Sequence, residues 1–443
     1  MILPPGRARL ADGLFVAALM IFVLAGVSVT PMHGDEFMQM AMSRDVFYLA
    51  HGQMGQIQFS PPVQPDSEQE LRLVNGPLNK DLIGLTWLLS GRTIADLPGI
   101  FAWEMSLSWN QTQGNVPSTN DLNSARLPSA LLTAIGVVLI FAVGLRIGGR
   151  KAAYPAALLY TINPVILLNG RRAMMEGGLI ACTLLLILVA LWLTDIANSG
   201  EKSPRLWMRW ALLGVCAGLV VVAKYPGIAI VGFVLFAVAW NAWRCPTIGL
   251  KCALIGTLVA GLIAVFTFLI LNPVYWNNPV GATEAMIHSR IDLLARQVPS
   301  DPTKYTSFDQ QILATFTEPF LRGVQYYEAP TWQGTIDDQI ATYEASPLSG
   351  WRWPDWIGVI LTLLSMAGLA IAVVRAVWRH DPVACILLAW AAAGFVTALV
   401  VPFAWQRYYL PWLLPQIILI GYALATLIVD SAGFLKVQVK SHY

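Results

Sequence analysis

Charged residues are scarce in this sequence. Of its 443 residues, 12% are Asp, Glu, Lys or Arg, whereas 56% are hydrophobic. Soluble domains usually carry about 25% charged residues, and a chain of this length could not cover a water-facing surface with so few charges. The composition therefore excludes an ordinary soluble protein and indicates that lipid is the main solvent.

Net charge and cysteine are also low. The formal net charge is +2, and the sequence contains no basic run and no nucleic-acid motif, so we expect no nucleic-acid partner. None of the five cysteines lies in a long polar segment, so we expect no disulfide there, and their spacing matches no metal-binding pattern. They are Cys182, Cys216, Cys245, Cys252 and Cys385.

Apolar runs long enough to cross a bilayer recur along the chain. They predict an all-α polytopic membrane protein with about ten transmembrane helices, at about 13–31, 127–147, 152–169, 174–194, 210–224, 226–243, 252–272, 354–375, 384–402 and 408–429. Two long polar segments remain, and short apolar stretches inside them predict interfacial helices. The resulting division is an N-terminal catalytic module at 1–272 that includes a first loop at 32–126, a second loop at 273–353, and C-terminal helices at 354–443.

Lysine and arginine decide the predicted orientation. One set of short connections and termini holds most of them, for example Arg146, Arg150 and Lys151. Because cytoplasmic loops are enriched in Lys and Arg, we expect this set and both termini to be cytoplasmic, in the plasma membrane. Both long loops are then extracytoplasmic. The short connections on that side hold only Arg171, Arg172, Lys224 and Arg407.

Two adjacent carboxylates, Asp35 and Glu36, directly follow the first apolar run. Carboxylates at a membrane surface are costly to dehydrate, so their presence suggests a general base or a metal ligand. A solvated loop start is the simpler alternative for this pair alone.

Isolated cations lie at three outer helix ends, and they too suggest a functional site. Arg171 and Arg172 precede Glu176, Lys224 interrupts an apolar stretch, and Arg407 precedes Tyr408 and the last apolar run. Each has an ordinary explanation, namely a structural ion pair, a snorkelling side chain or an aromatic belt. Together they predict an outward-facing pocket for an anionic lipid headgroup, and phosphate suits guanidinium and ammonium groups.

These residues resemble GT-C type membrane glycosyltransferases that use a polyprenyl-phosphate-sugar donor, such as protein O-mannosyltransferases and the aminoarabinose transferase of lipid A. The resemblance covers residues 10–230 well, 400–425 weakly and 280–350 hardly at all. Its motifs are, in order, Asp35-Glu36, Gly76-Pro77-Leu78, Ala125-Arg126-Leu127-Pro128-Ser129, Gly144 to Arg150, Asn163-Pro164, Arg172 to Glu176, Ala223-Lys224-Tyr225-Pro226-Gly227 and Arg407-Tyr408.

The resemblance implies an inverting transfer of a sugar from the lipid carrier to an extracytoplasmic acceptor, which could be a protein, a lipid or a glycan. Asp35 would be the catalytic carboxylate, with Glu36 and Glu176 as further candidates, although Glu176 stands where the family more often has Asp. The donor phosphate would bind Arg171, Arg172, Lys224, Arg407 and Tyr408. No cofactor is required with certainty; a divalent metal ion, with Asp35 as its ligand, is possible.

Two other functions fit a polytopic chain. A secondary transporter of an anionic or lipid-linked substrate would place ionisable groups near the bilayer midplane within internal repeats, whereas these charges gather at helix ends and no repeat is visible. A non-catalytic membrane scaffold would leave the carboxylates and cations unexplained. The distinguishing expectation is that Asp35, Glu176, Lys224 and Arg407 converge on one outward cavity.

Overall fold

A computed structural model describes residues 5–199, 204–328 and 332–440. These residues are mostly α-helical and contain no β-strand. The helices are α1 (Pro5–Ala25), α2 (Gly34–Met42), α3 (Arg44–Ala50), α4 (Glu68–Val74), α5 (Leu78–Leu89), α6 (Leu107–Thr112), α7 (Thr119–Gly148), α8 (Arg150–Ile162), α9 (Pro164–Arg171), α10 (Glu176–Ser199), α11 (Pro204–Ala223), α12 (Gly227–Arg244), α13 (Gly249–Ile270), α14 (Pro279–Ser300), α15 (Phe308–Thr317), α16 (Asp337–Ala345), α17 (Asp355–Trp378), α18 (Pro382–Leu399) and α19 (Leu410–Lys440). Short 3₁₀-helices lie at Met54–Gln56, Ile94–Asp96, Pro273–Tyr275, Pro347–Ser349 and Gln406–Tyr409.

The membrane-spanning helices confirm the predicted fold class. In the described part of the chain, 9 helices are long and apolar enough to cross a bilayer, and the bent pair α8–α9 raises the number to 10. Among them α10 and α19 are the most enclosed, because 83% of the apolar stretch of each is buried. The division of the chain at residues 272 and 353 stays a prediction.

The predicted span at 152–169 is broken in the middle. Its two halves, α8 and α9, meet at an angle of 61°, because Pro164 cannot donate to the preceding turn. Asn163 caps the second half by accepting from the amides of Val165 and Ile166, at 3.0 and 3.1 Å. The Ile162 carbonyl left free by the break accepts from the Trp351 amide at 2.8 Å. The break thus aims α9 and the residues after it toward the site.

Helix α7 begins before the apolar run that predicts it. Ser118 caps the helix by accepting from the Asp121 amide at 3.2 Å, so the polar stretch before residue 127 is helical as well. Hydropathy misses this extension because two polar turns lower the average over the first part of the helix. Its consequence is that Arg126 lies on a rigid helix rather than in a loop.

The two long loops fold into helices that pack against each other. The first contains α2 to α6 and the second α14 to α16. The ring of Trp332 lies 5.8 Å from Phe101 and 6.1 Å from Trp103, and the Met32 amide donates to Gln339 at 3.0 Å. Both loops therefore lie at the same end of the helical bundle, which we call the outer end.

Several loop helices expose apolar side chains, as predicted interfacial helices should. On α5 these are Leu85 and Leu89, and on α14 they are Val280, Ile287 and Ile291. The α14 residues recur at a spacing that places them on one face of the helix. These faces fit helices that lie along the bilayer surface.

Topology is testable by cysteine labelling. The chain ends at 1–4 and 441–443 lie outside the described residues, so labels go to exposed loop positions. In a background with all five cysteines replaced by Ala, Glu104→Cys and Glu284→Cys should react with an impermeant maleimide from the extracytoplasmic side. Lys151→Cys, at the opposite end, should react only after permeabilisation. Labelling of Glu104→Cys and Glu284→Cys from opposite sides would contradict the fold.

Candidate active site

Asp35 lies in the first turn of α2, at the outer end. His33 caps this helix, because its Nδ1 accepts from the Asp35 amide at 3.1 Å. The Asp35 carboxylate forms an ion pair with Nη1 of Arg407, although the two residues are 372 positions apart in the chain. Its side chain is 33% exposed, so Asp35 combines a fixed partner with access to a ligand.

The carboxylate of Glu36, the next residue in sequence, has no acceptor position left for a ligand. Its carboxylate accepts from Nε and Nη2 of Arg126 at 2.7 and 2.8 Å. It also accepts from the backbone amides of His33 and Ala173, at 3.0 and 2.8 Å. Four N–H donors saturate a fully buried carboxylate, so the geometry favours a structural role over the predicted catalytic one.

Arg407, Tyr408, Lys224 and Glu176 form a continuous set of contacts. The guanidinium carbon of Arg407 lies 5.4 Å from the centre of the Tyr408 ring, and Nζ of Lys224 lies 4.7 Å from the same centre. Lys224 donates to Oε1 of Glu176 at 2.7 Å. Glu176 opens α10 and Lys224 follows α11, so two helix ends and the segment before α19 supply this set.

Glu328, in the second loop, joins this set and has no counterpart among the predicted residues. It accepts from Nε2 of His33 at 2.6 Å and lies 3.1 Å from Nε of Arg407. Arg172 approaches from the other side, since it donates to the Tyr326 carbonyl at 2.7 Å. His33 therefore connects α2 to the second loop as well as capping the helix.

Arg171, which the resemblance predicts to bind donor phosphate, lies apart from this cluster. Its guanidinium donates to the carbonyls of Val23 and Phe22 at 2.7 and 2.8 Å and to the carbonyl of Leu348. These contacts hold the end of α1 against the second loop. None of these contacts is with Asp35, Glu176, Lys224 or Arg407, and the phosphate-binding role of Arg171 stays a prediction.

The second loop also orients the segment that carries Arg407. The Ala404 amide donates to the Thr303 carbonyl at 3.1 Å, and the Tyr305 amide donates to the Pro402 carbonyl at 2.9 Å. Nε1 of Trp405 donates to Asp301 at 2.7 Å. The loop therefore fixes residues 402–405, and with them the direction of the arginine.

Burial and nearby positive charge have opposite effects on the pKa values of Asp35 and Glu328, and the effect of the positive charge is the larger one. Burial raises the pKa of Asp35, but the Arg407 guanidinium holds that pKa below its usual range overall. Burial likewise raises the pKa of Glu328, but Arg407 and His33 lower that pKa by more. The net pKa of Glu328 lies well below its usual range. Both carboxylates are therefore ionised at neutral pH.

A divalent metal ion with Asp35 as a ligand stays a prediction. Among the described residues no three His, Cys, Asp or Glu side chains come together in a way that could hold a metal ion. Asp35 itself is paired with Arg407.

Asp35, Glu176, Lys224 and Arg407 are joined by a series of contacts, and the single outward cavity that the sequence analysis expects for them stays a prediction. The role of Glu328 has no sequence signal, because the second loop carries almost no recognisable pattern. His33 stands directly before the Asp35-Glu36 pair, and Arg126 stands in the Ala125 to Ser129 motif of the resemblance, but neither pattern predicts its partner.

The chain is similar to known proteins in sequence over part of its length and in its fold. Residues 67–287 match the family model for dolichyl-phosphate-mannose-protein mannosyltransferases. The fold is similar to that of the oligosaccharyltransferase AglB from Archaeoglobus fulgidus, with 14% identity and a TM-score of 0.51 over 98% of this chain and 52% of that one.

A second solved structure with a similar fold is ArnT from Cupriavidus metallidurans bound to undecaprenyl phosphate. The identity is 16% and the TM-score 0.50, over 93% of this chain and 59% of that one. A search of curated proteins gives no match. The chain thus spans between half and three fifths of the length of these two structures.

The family match and the shared fold confirm the predicted class: the chain has the architecture of a GT-C type membrane glycosyltransferase. Its family match is to the dolichyl-phosphate-mannose-protein mannosyltransferases, over about half of its length.

The Arg126–Glu36 pair yields a stability prediction. Arg126→Ala leaves the buried Glu36 carboxylate without its guanidinium and should cost about 3–5 kcal/mol of unfolding free energy. Thermal unfolding in detergent measures this. Arg146→Ala, an exposed arginine on the same helix, is the matched control and should change little.

The pH dependence of the unfolding temperature gives a second test of Arg126→Ala. Burial raises the pKa of Glu36, but Arg126 lowers it and the net pKa is depressed. Because the pKa of Glu36 is lower in the folded state than in the unfolded state, its ionisation stabilises the folded state at pH values above the ordinary glutamate pKa. This stabilisation is lost as the pH falls through the pKa that Glu36 has in the folded state. The gap between wild type and Arg126→Ala should therefore be widest at neutral pH and narrow in acid. Equal unfolding temperatures for Arg126→Ala and the control would contradict the assigned role.

Proposed function

We propose that this protein is a glycosyltransferase that moves a sugar from a polyprenyl-phosphate carrier to an acceptor at the outer face of the membrane. The observation that carries the proposal is the uninterrupted contact path from Asp35 through Arg407 and Tyr408 to Lys224 and Glu176. It places one partly exposed carboxylate beside two cations at the outer end of an apolar bundle. A lipid phosphate can reach such a site while its chain stays in the bilayer.

The roles divide by charge. The acceptor hydroxyl or amine attacks the anomeric carbon, the bond from that carbon to the phosphate oxygen breaks, and the acceptor proton passes to Asp35. Polyprenyl phosphate leaves with the electron pair, and its negative charge is stabilised by Lys224, Arg407 and Arg172. A single displacement of this kind inverts the anomeric centre.

Arg407 couples the two halves of the reaction. In the structure its guanidinium lowers the pKa of Asp35, which keeps the carboxylate ionised but weakens it as a base. When Arg407 turns toward a phosphate, its pull on Asp35 decreases and the carboxylate becomes the stronger base. Donor binding therefore prepares the group that deprotonates the acceptor.

The membrane setting follows from the same site. A polyprenyl-phosphate donor is a membrane lipid, and the predicted orientation puts the outer end outside the cytoplasm with both termini inside. In a bacterial-type envelope this is the plasma membrane. The acceptor, whether protein, lipid or glycan, would enter between the two loops, because those loops surround Asp35.

Transport of an anionic lipid fits the same site less well. The charged groups lie at helix ends, since Glu176 opens α10, Lys224 follows α11, and Arg407 precedes α19. A transport site is expected near the middle of the bilayer, on broken helices. Release of free polyprenyl phosphate from a donor distinguishes transfer from transport directly.

Asp35→Asn tests the proposed chemistry. Purified protein is incubated with a panel of polyprenyl-phosphate sugars, and released polyprenyl phosphate is quantified. The wild type should release it from at least one donor, and the variant should be about 10²–10⁴-fold slower, the usual effect of losing a general base.

Folding and donor binding should persist in Asp35→Asn, because the amide has nearly the same shape. Asp338→Asn removes one exposed carboxylate from the second loop and should leave the rate unchanged. Full activity of Asp35→Asn at normal expression would rule out Asp35 as the base. If no donor of the panel is consumed by the wild type, the proposed activity itself is wrong.

A further inference from the structure

Every cation that the proposed reaction assigns to the phosphate already has a protein partner. Arg407 is paired with Asp35 and Glu328, and Lys224 is paired with Glu176. Arg172 donates to two backbone carbonyls, those of Pro31 and Tyr326. A phosphate that binds through the paired nitrogens must therefore replace the groups that now contact them.

The charges at the site, most of them buried, are balanced before any ligand arrives. Arg126, Arg172, Lys224 and Arg407 face an equal number of carboxylates, which are Asp35, Glu36, Glu176 and Glu328. An added phosphate would leave excess negative charge in a region of low dielectric, which is strongly unfavourable. Withdrawal of one carboxylate restores the balance.

Glu328 is the carboxylate that can withdraw. Asp35 and Glu36 belong to α2 and Glu176 to α10, whereas Glu328 lies in irregular chain that the structure describes at 323–328. We call residues 323–328 the outer strap. The three helical carboxylates cannot move without their helices, but the strap can move as a loop.

The outer strap covers both arginines at once. Glu328 contacts Arg407, and the Tyr326 carbonyl accepts from Arg172 at 2.7 Å. Displacement of the strap therefore removes the carboxylate from the Arg407 guanidinium and frees Nη2 of Arg172 in a single movement. Two guanidinium groups released together are a strong site for phosphate oxygens.

Four further hydrogen bonds hold the strap. Gln325 and Gln406 exchange amide-to-side-chain bonds of 3.0 and 2.8 Å, and Nε2 of Gln406 donates to the Gly323 carbonyl at 3.3 Å. The Tyr326 hydroxyl donates to Glu344 at 3.0 Å. Backbone pairing with a regular element is not among these contacts. Glu328 adds a hydrogen bond with His33 and an ion pair with Arg407 to these contacts, and we take it as the residue that holds the strap closed.

We propose that Glu328 stands in for the lipid phosphate in the resting protein, and that the phosphate of the donor displaces the outer strap when it binds. The inference rests on the proposed function, because it concerns the same cations. It adds a step: the strap opens as the donor enters, and Arg172 and Arg407 become available to the phosphate together.

Glu328→Gln tests the proposal by the sign of its effect. A strap that competes with phosphate reduces the fraction of protein that can bind the lipid. The apparent dissociation constant of the lipid rises in proportion to that reduction. Glu328→Gln should therefore bind undecaprenyl phosphate about three- to tenfold more tightly than the wild type. If Glu328 only orients Arg407, the same change weakens binding.

Two variants control this measurement. Glu284→Gln removes one exposed carboxylate from the same loop and should leave the affinity unchanged. Gln325→Ala loosens the strap without a change of charge, so it should also tighten binding, and it serves where Glu328→Gln folds poorly. Unchanged or weaker binding in both strap variants overturns the proposal.

Hydrogen–deuterium exchange of the peptide that contains residues 323–328 gives a second readout. Exchange there should be faster in wild type with undecaprenyl phosphate than without it, and already fast in Glu328→Gln alone. Slower exchange in the lipid complex overturns the strap. Failure of the proposed function looks different, since neither wild type nor any variant would then bind undecaprenyl phosphate.

Discussion

Two nitrogens of Arg126 bind the two oxygens of Glu36 inside the outer end of the bundle, and the position of the candidate site depends on this contact. Arg126 belongs to the spanning helix α7, so the pair fixes the short helix α2 to the membrane bundle. Glu36 also accepts from Ala173, which holds the turn before α10. With Glu36 pointing inward, its neighbour Asp35 points the other way, toward Arg407.

Arg407 is the second fixed point, and it joins parts of the chain that are far apart in sequence. Arg407 precedes the last helix, α19. It contacts Asp35, which follows the first helix, α1, and it contacts Glu328 in the second loop. The loop in turn orients residues 402–405 through backbone hydrogen bonds. The site thus needs both ends of the chain and both loops, whereas the remaining spanning helices provide the apolar support beneath it.

The sequence predicts much of this arrangement because hydropathy and charge placement act locally. Apolar length finds the spans, and isolated cations mark the outer helix ends, including Lys224 and Arg407. Local patterns fail where tertiary contact decides the role. Arg171 and Arg172 are adjacent, yet one binds carbonyls near α1 and the other faces the site, because the end of α9 turns them apart. Glu328 has no helical period or motif, and only the fold brings it to Arg407.

The central claim is that the cations at the outer helix ends hold a lipid phosphate opposite Asp35. An electron cryo-microscopy map of the protein in nanodiscs with undecaprenyl phosphate tests it most directly. The account predicts phosphate density in contact with Lys224 and Arg407, beside the ring of Tyr408, with the polyprenyl chain running into the bilayer. Phosphate density elsewhere, with Arg407 still bound to both Asp35 and Glu328, would contradict it.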